Sequence, residues 1–136
     1  MRFLLPLLAF VAVLAAGPRA QAQIEIDITQ GQVEPMPLAV VAFQGEGEAG
    51  RLGGEIAQVL AADLERSGLF RPIDPKAFIQ TAEALDVRPR FGDWRAINAE
   101  ALIQGRTRMT EDGRLRVEFR LWDVFAEQQL KGLAYF

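Results

Sequence analysis

The chain has 136 residues, half of them hydrophobic, with 15 basic and 18 acidic side chains, a net charge of −3, no histidine and no cysteine. That length suits one domain with a substantial core. The missing Cys and His exclude disulfide scaffolding, thiol catalysis, a Ser-His-Asp triad and any His or Cys metal site, and the acidic balance argues against general polyanion binding.

Arg2, the apolar stretch from Phe3 to Ala16, and Ala20-Gln21-Ala22 form a basic start, a hydrophobic middle and a small-x-small cleavage site. Residues 1–22 are therefore expected to be an export signal, leaving a mature domain over 23–136 that starts at Gln23. The apolar run is short for a membrane span. Loss of Arg2 and Arg19 leaves 13 basic against 18 acidic residues, a net charge of −5.

Ile24, Ile26 and Ile28 then alternate with Glu25, Asp27 and Thr29, the two-residue period of a strand with one apolar face. From Gln30 to Pro37 the chain contains Gly31, Pro35 and Pro37, which make a slack connection. A terminal strand held by one sheet edge and followed by such a loop is poorly tethered, and is expected to detach without unfolding the rest.

Leu38 to Phe43 is a short apolar run rich in β-branched residues, as in a buried central strand. After a glycine-rich connection, Leu52, Ile56, Val59, Leu60 and Leu64 draw one apolar stripe along a helix. Gly68 stands where a helix end favours a left-handed residue, and Leu69 to Asp74 reads as a second strand. This strand-helix-strand unit predicts a right-handed crossover between parallel strands.

Asp74-Pro75 starts one or two helical turns, with Asp as cap and Pro at the first helical position. Thr81 to Arg90 is expected to be a loop. Asp93 to Asn98 reads as a short helix capped by Asp93, with Trp94 and Ile97 facing inward. Ala101 to Met109 and Leu115 to Phe125 form a hairpin around Glu111-Asp112-Gly113. Its register sets Arg108 opposite Arg116 and Arg106 opposite Glu118. Leu130 to Phe136 adds one more strand and ends without a polar tail, as expected of a sequence cut short.

Two motifs invite a sharper reading. Gly45-Glu46-Gly47-Glu48-Ala49-Gly50 has the spacing of a dinucleotide-binding fingerprint between a strand and a helix. Glu46 and Glu48, however, put two carboxylates where a pyrophosphate would sit, which favours a simple connection. Arg106, Arg108, Arg116 and Arg120, with Trp122 nearby, have the composition of a single-strand nucleic-acid platform, but alternation in an antiparallel sheet produces such solvated faces routinely. Glu25 and Asp27 share a strand face without a third metal ligand, and a polar strand face is the simpler account.

Ile24 to Ile28, Pro37 to Phe43, Ile56 with Ala61-Ala62-Asp63-Leu64-Glu65-Arg66-Ser67-Gly68-Leu69-Phe70, Trp94 to Gly105, and Val117 to Asp123 together resemble the N-terminal domain of the TolB family of the Tol-Pal system. The resemblance spans essentially the whole mature chain. It implies a two-layer α/β domain with a mixed β-sheet and helices on one face, no enzymatic activity, no cofactor or metal, and adaptor service in the periplasm for outer-membrane integrity and constriction at division. By the same resemblance, Gln23, Ile24, Glu25, Ile26, Asp27, Ile28, Thr29 and Val33 would be offered to TolA. Family members continue into a β-propeller that binds Pal, and no stretch of this sequence forms one; Pal is therefore expected as a partner only where a propeller is present. An exported small-ligand or nucleotide-binding protein using the Gly45–Gly50 loop, and a nonfunctional fragment of a longer protein, remain the alternatives.

Overall fold

A computed structural model of the chain describes residues 34–80 and 85–136. The expected export signal, the Ile24–Ile28 strand, all of Gln23 to Val33 and the start of the loop predicted from Thr81 lie outside the described residues.

Five strands form one sheet: β1 (Met36–Val40), β2 (Phe70–Pro72), β3 (Ala101–Met109), β4 (Leu115–Asp123) and β5 (Gln128–Tyr135), in the order β2-β1-β3-β4-β5. β1 runs parallel to both β2 and β3, whereas β3-β4 and β4-β5 are antiparallel, so the sheet is mixed. The strand predicted over Leu38 to Phe43 is internal, as expected. Its ladder ends at Val40, but its backbone follows β3 further, with Val41 N–H donating to Ile103 O at 3.0 Å and Gln44 N–H to Gly105 O at 2.9 Å.

The long helix α1 (Gly47–Arg66) joins β1 to β2, and Gly68 follows it with φ +74°, the left-handed residue anticipated there. Its inward face differs from the predicted stripe. Ala49, Gly53 and Ala57 are buried, with Ile56, Leu60, Ala61 and Leu64 packed beside them, whereas Val59 is 59% exposed. Small residues carry the contact because the helix lies almost on the strand backbone. A Cβ at Gly53 would stand 2.5 Å from Phe43 O, and one at Gly45 would stand 2.6 Å from Thr107 O.

Strand alternation sorts the core into two clusters. Leu38, Val40, Ala101 and Ile103 face α1 together with Val117, Phe119 and Leu121. Ala39, Val41, Leu102, Trp122 and Val124 point the other way and are covered by Phe91 and Trp94 of the short helix α2 (Phe91–Ala96), with Ile73, Phe78 and Ile97 around them. The α/β architecture and mixed sheet agree with the sequence reading; α1 keeps to a single face, and the six-residue α2 seals the sheet's other side.

Local details follow their chemistry. Asp74 Oδ1 accepts from Lys76 N–H at 2.9 Å, capping a single 3-10 turn over Pro75–Ala77. α2 begins two residues before the predicted cap. Asp93 therefore sits in its first turn and accepts from Arg90 Nε at 3.1 Å instead of capping. The hairpin has the predicted register, Arg106 opposite Glu118 and Arg108 opposite Arg116, and Gly113 takes φ +80° in the turn. The last apolar run is β5, an outer strand exposed along its whole length.

Candidate functional site

The residues expected to meet a partner, Gln23 to Val33, lead directly into Glu34 and Pro35 at the start of β1. Glu34, Pro35 and Pro37 line a hollow of about 420 Å³ with Arg71 of β2, Asn98 and Glu100 before β3, and Phe125 after β4. The described residues therefore begin at an interior strand of the sheet. Among the described residues the outer strands are β2, only three residues long and ending in Pro72, and β5, eight residues long. Proline removes a ladder donor, so β2 is the poorer template for strand addition. β5 presents a full outer edge, with Leu130 and Tyr135 each more than half exposed.

The glycine motif is used for packing. A Cβ on Gly50 would stand 2.4 Å from Gly45 O, and the buried Thr107 Oγ1, packed against Gly45 and Gly53, donates to Ala49 O at 2.6 Å. Gly105 makes room for the Phe43 ring, which would lie 2.5 Å from an added Cβ. Glu48, in the first turn of α1, pairs with Arg51, whose side-chain hydrogen bond holds the carboxyl below its ordinary range. Such a carboxylate suits the positive end of a helix and competes with any anion approaching it. A cleft of about 610 Å³ is lined by Gly45, Glu46 and Ala49 together with Arg106 to Met109. The Arg106 guanidinium there is committed to Glu118 and, at 3.1 Å, to Asp86.

On the arginine-rich sheet face Arg106, Arg116 and Arg120 are paired with acidic side chains, whereas Arg108 is exposed and has no ion pair among the described residues. Glu118 bonds Arg106 and, at 2.6 Å, Arg116, while Asp86 also lies 3.7 Å from Arg120. The hydrogen bond from Arg106, then that from Arg116, pulls the Glu118 carboxyl below its ordinary range, and Glu118 in turn raises Arg106. Trp122, imagined beside these arginines as a stacking platform, is 6% exposed and belongs to the core, its Nε1–H donating to Gln104 Oε1 at 3.1 Å. Paired cations and a buried indole do not make a nucleic-acid surface.

Sequence reasoning missed a second buried amide. Gln80 is 1% exposed, and its Oε1 accepts from Trp94 Nε1–H at 2.9 Å and Arg90 N–H at 3.2 Å. Its position just before a predicted loop gave no hint of burial. Among the described residues no group of three or more Asp and Glu is gathered as a metal site, and no helix is long and apolar enough to cross a membrane.

Residues 24–130 match the family of the TolB amino-terminal domain. The Tol-Pal system protein TolB of Paramagnetospirillum magneticum is 58% identical over 120 residues, which cover 88% of this chain and 27% of that protein. Among solved structures, TolB from Acinetobacter baumannii superposes with a TM-score of 0.57 at 24% identity, over 75% of this chain and 23% of that one. The C-terminal domain of LpoB from Salmonella enterica gives 0.55 at 13% identity, over 76% and 82%. These two likenesses show the fold alone, and the chain spans about a quarter of the length of the curated relative. The match over residues 24–130, with the mixed sheet and the identity to a Tol-Pal system protein, establishes that this chain belongs to the TolB amino-terminal domain family.

Proposed function

We propose that the chain is a non-catalytic periplasmic adaptor of the Tol-Pal system, exported by residues 1–22, whose mature segment Gln23 to Val33 is captured by TolA and which serves outer-membrane integrity and constriction at division. The observation that carries this reading is the 58% identity to a Tol-Pal system protein across 88% of the chain. The residues themselves support it. Ile24, Ile26 and Ile28 give one apolar strand face suited to pairing with a partner's sheet edge. The slack stretch around Gly31 and Pro35 then joins that face to β1, which is clamped on both sides by β2 and β3. Pal enters as a partner only through a propeller, in a longer protein that carries one.

The test is calorimetry with purified TolA against the chain with and without Gln23 to Val33, with melting of both forms in parallel. Binding should vanish on deletion while the fold persists, since a terminal segment ahead of Glu34 leaves both core clusters intact. Undiminished binding by the deleted form would overturn the assignment of the partner site to this segment.

A further inference from the structure

The hairpin between β3 and β4 turns on Asp112-Gly113, an aspartate followed by the one residue with no side chain to shield its amide nitrogen. Such a pair is open to a covalent change. The glycine nitrogen attacks the aspartate Cγ, a C–N bond forms, and the amide hydrogen leaves with the carboxyl OH as one water, giving a succinimide ring. Water then opens the ring at either carbonyl. Opening at the aspartate's own main-chain carbonyl leaves the backbone running through Cβ and Cγ, an isoaspartate with one extra carbon in the chain.

The Asp112 side chain is 55% exposed, so water reaches it, yet the turn engages both groups that would react. Gly113 N–H donates to Thr110 O at 3.0 Å, which fixes the plane of the attacking amide. Thr110 Oγ1 lies within reach of Arg114 O, at 2.9 Å, and of Asp112 Oδ1. Arg114 O already accepts from Thr110 N–H at 2.8 Å, so the single hydroxyl hydrogen goes to the carboxylate, the stronger acceptor. Arg114 Nε–H donates to Asp112 Oδ2 at 2.7 Å, so both carboxylate oxygens are held. The hydrogen bond from Thr110, then that from Arg114, keeps the carboxyl below its ordinary range, and an ionised carboxyl is the poorer electrophile because it has no OH to release. We propose that Asp112-Gly113 is a latent isomerisation site, and that Thr110 and Arg114, clasping the turn from its two sides, keep the folded chain from converting it to isoaspartate. This proposal is independent of the adaptor reading.

The test keeps the full chain at neutral pH, folded in buffer or unfolded in urea, and follows isoaspartate at position 112 by electron-transfer fragmentation and mass spectrometry. The folded parent should convert at least about tenfold more slowly than the unfolded chain, since several hydrogen bonds must break before the ring can close. Thr110→Val keeps a β-branched side chain but removes the hydroxyl, and Arg114→Gln removes the cation at an exposed position. Each folded variant should convert about two- to tenfold faster than the folded parent, the worth of one hydrogen bond expressed as a rate. Glu111→Gln, in the same turn but outside the clasp, should convert at the parent's rate. Melting is recorded for every variant, and Arg114→Gln carries the comparison if Thr110→Val melts lower than the parent. Equal rates in the folded and unfolded parent, clasp variants no faster than the parent, or an equal acceleration by Glu111→Gln would each overturn the proposal.

Discussion

β1 and β5 both read as apolar strands, yet one is sealed on two faces and the other is exposed throughout. Leu38 is 1% and Ala39 0% exposed, whereas Leu130 is 58% and Tyr135 56% exposed. The difference lies in connection. β1 belongs to the parallel part of the sheet, where each crossover must carry the chain over a face: α1 covers one on the way from β1 to β2, and Phe78 with α2 covers the other on the way to β3. β4 and β5 are reached by tight turns, which leave both faces to whatever else is available. Burial consequently fades across the sheet, from a mostly buried β3 through a half-buried β4 to an exposed β5.

The largest effect that would break this contrast is on the sealed side. Trp94 is 1% exposed, anchors the α2 cluster and satisfies Gln80 Oε1, so Trp94→Ala should cost about 3–5 kcal/mol in urea unfolding. A loss under 1 kcal/mol would mean that α2 is no true cover for the sheet. A finer test on the α1 face uses two adjacent glycines. Gly53→Ala forces a Cβ against Phe43 O at 2.5 Å and should destabilise by about 1–3 kcal/mol, whereas Gly54→Ala meets only open space and should stabilise by about 0.5–1 kcal/mol. Effects of equal sign would contradict the close approach of helix and strand.

These glycines also show where sequence reading stops. The hairpin register and Gly113 were legible because alternation and turn chemistry are local. The burial of Ala49, Gly53 and Ala57 in place of Leu52 and Val59 was not, since hydrophobic periodicity weights large side chains while close helix packing selects small ones. Asp93 was read as a cap because its side chain suits that role; Arg90 supplies the competing partner. Gln80, Gln104 and Trp122 bond across 14 or 18 residues of sequence, so their burial depends on tertiary neighbours and has no periodic signature. Of the partner site, the alternation of Ile24, Ile26 and Ile28 is legible, but the described structure begins only at Glu34.

A smaller effect is expected at the boundary between the two halves, where Glu118 on β4 joins Arg106 on β3. Its folded carboxyl lies below the ordinary value of 4.5, so its contribution to stability is complete above that pH and is lost as pH falls through the depressed folded value. Unfolding of the parent and of Glu118→Gln should therefore differ at pH 7, and the difference should shrink progressively as pH falls below 4.5. A constant difference down to pH 3 would show that the side chain acts by packing alone.

The smallest effect belongs to β5. Leu130 is exposed and lies on the outer strand, with no described element covering it, so Leu130→Ser removes little buried area and should change stability by no more than about 0.5 kcal/mol. Backbone pairing is a separate contribution. β5 holds a continuous register with β4 from Val117–Tyr135 to Asp123–Gln128, interrupted by one irregularity between Leu121 and Trp122, and those hydrogen bonds survive the substitution. Amide exchange should accordingly be faster in β5 than in β1 in both the parent and the variant, because an edge strand frays without opening the core. If Leu130→Ser cost 2 kcal/mol or more, β5 would have to be covered in solution, and the contrast between sealed and open halves would hold only for the described residues taken by themselves.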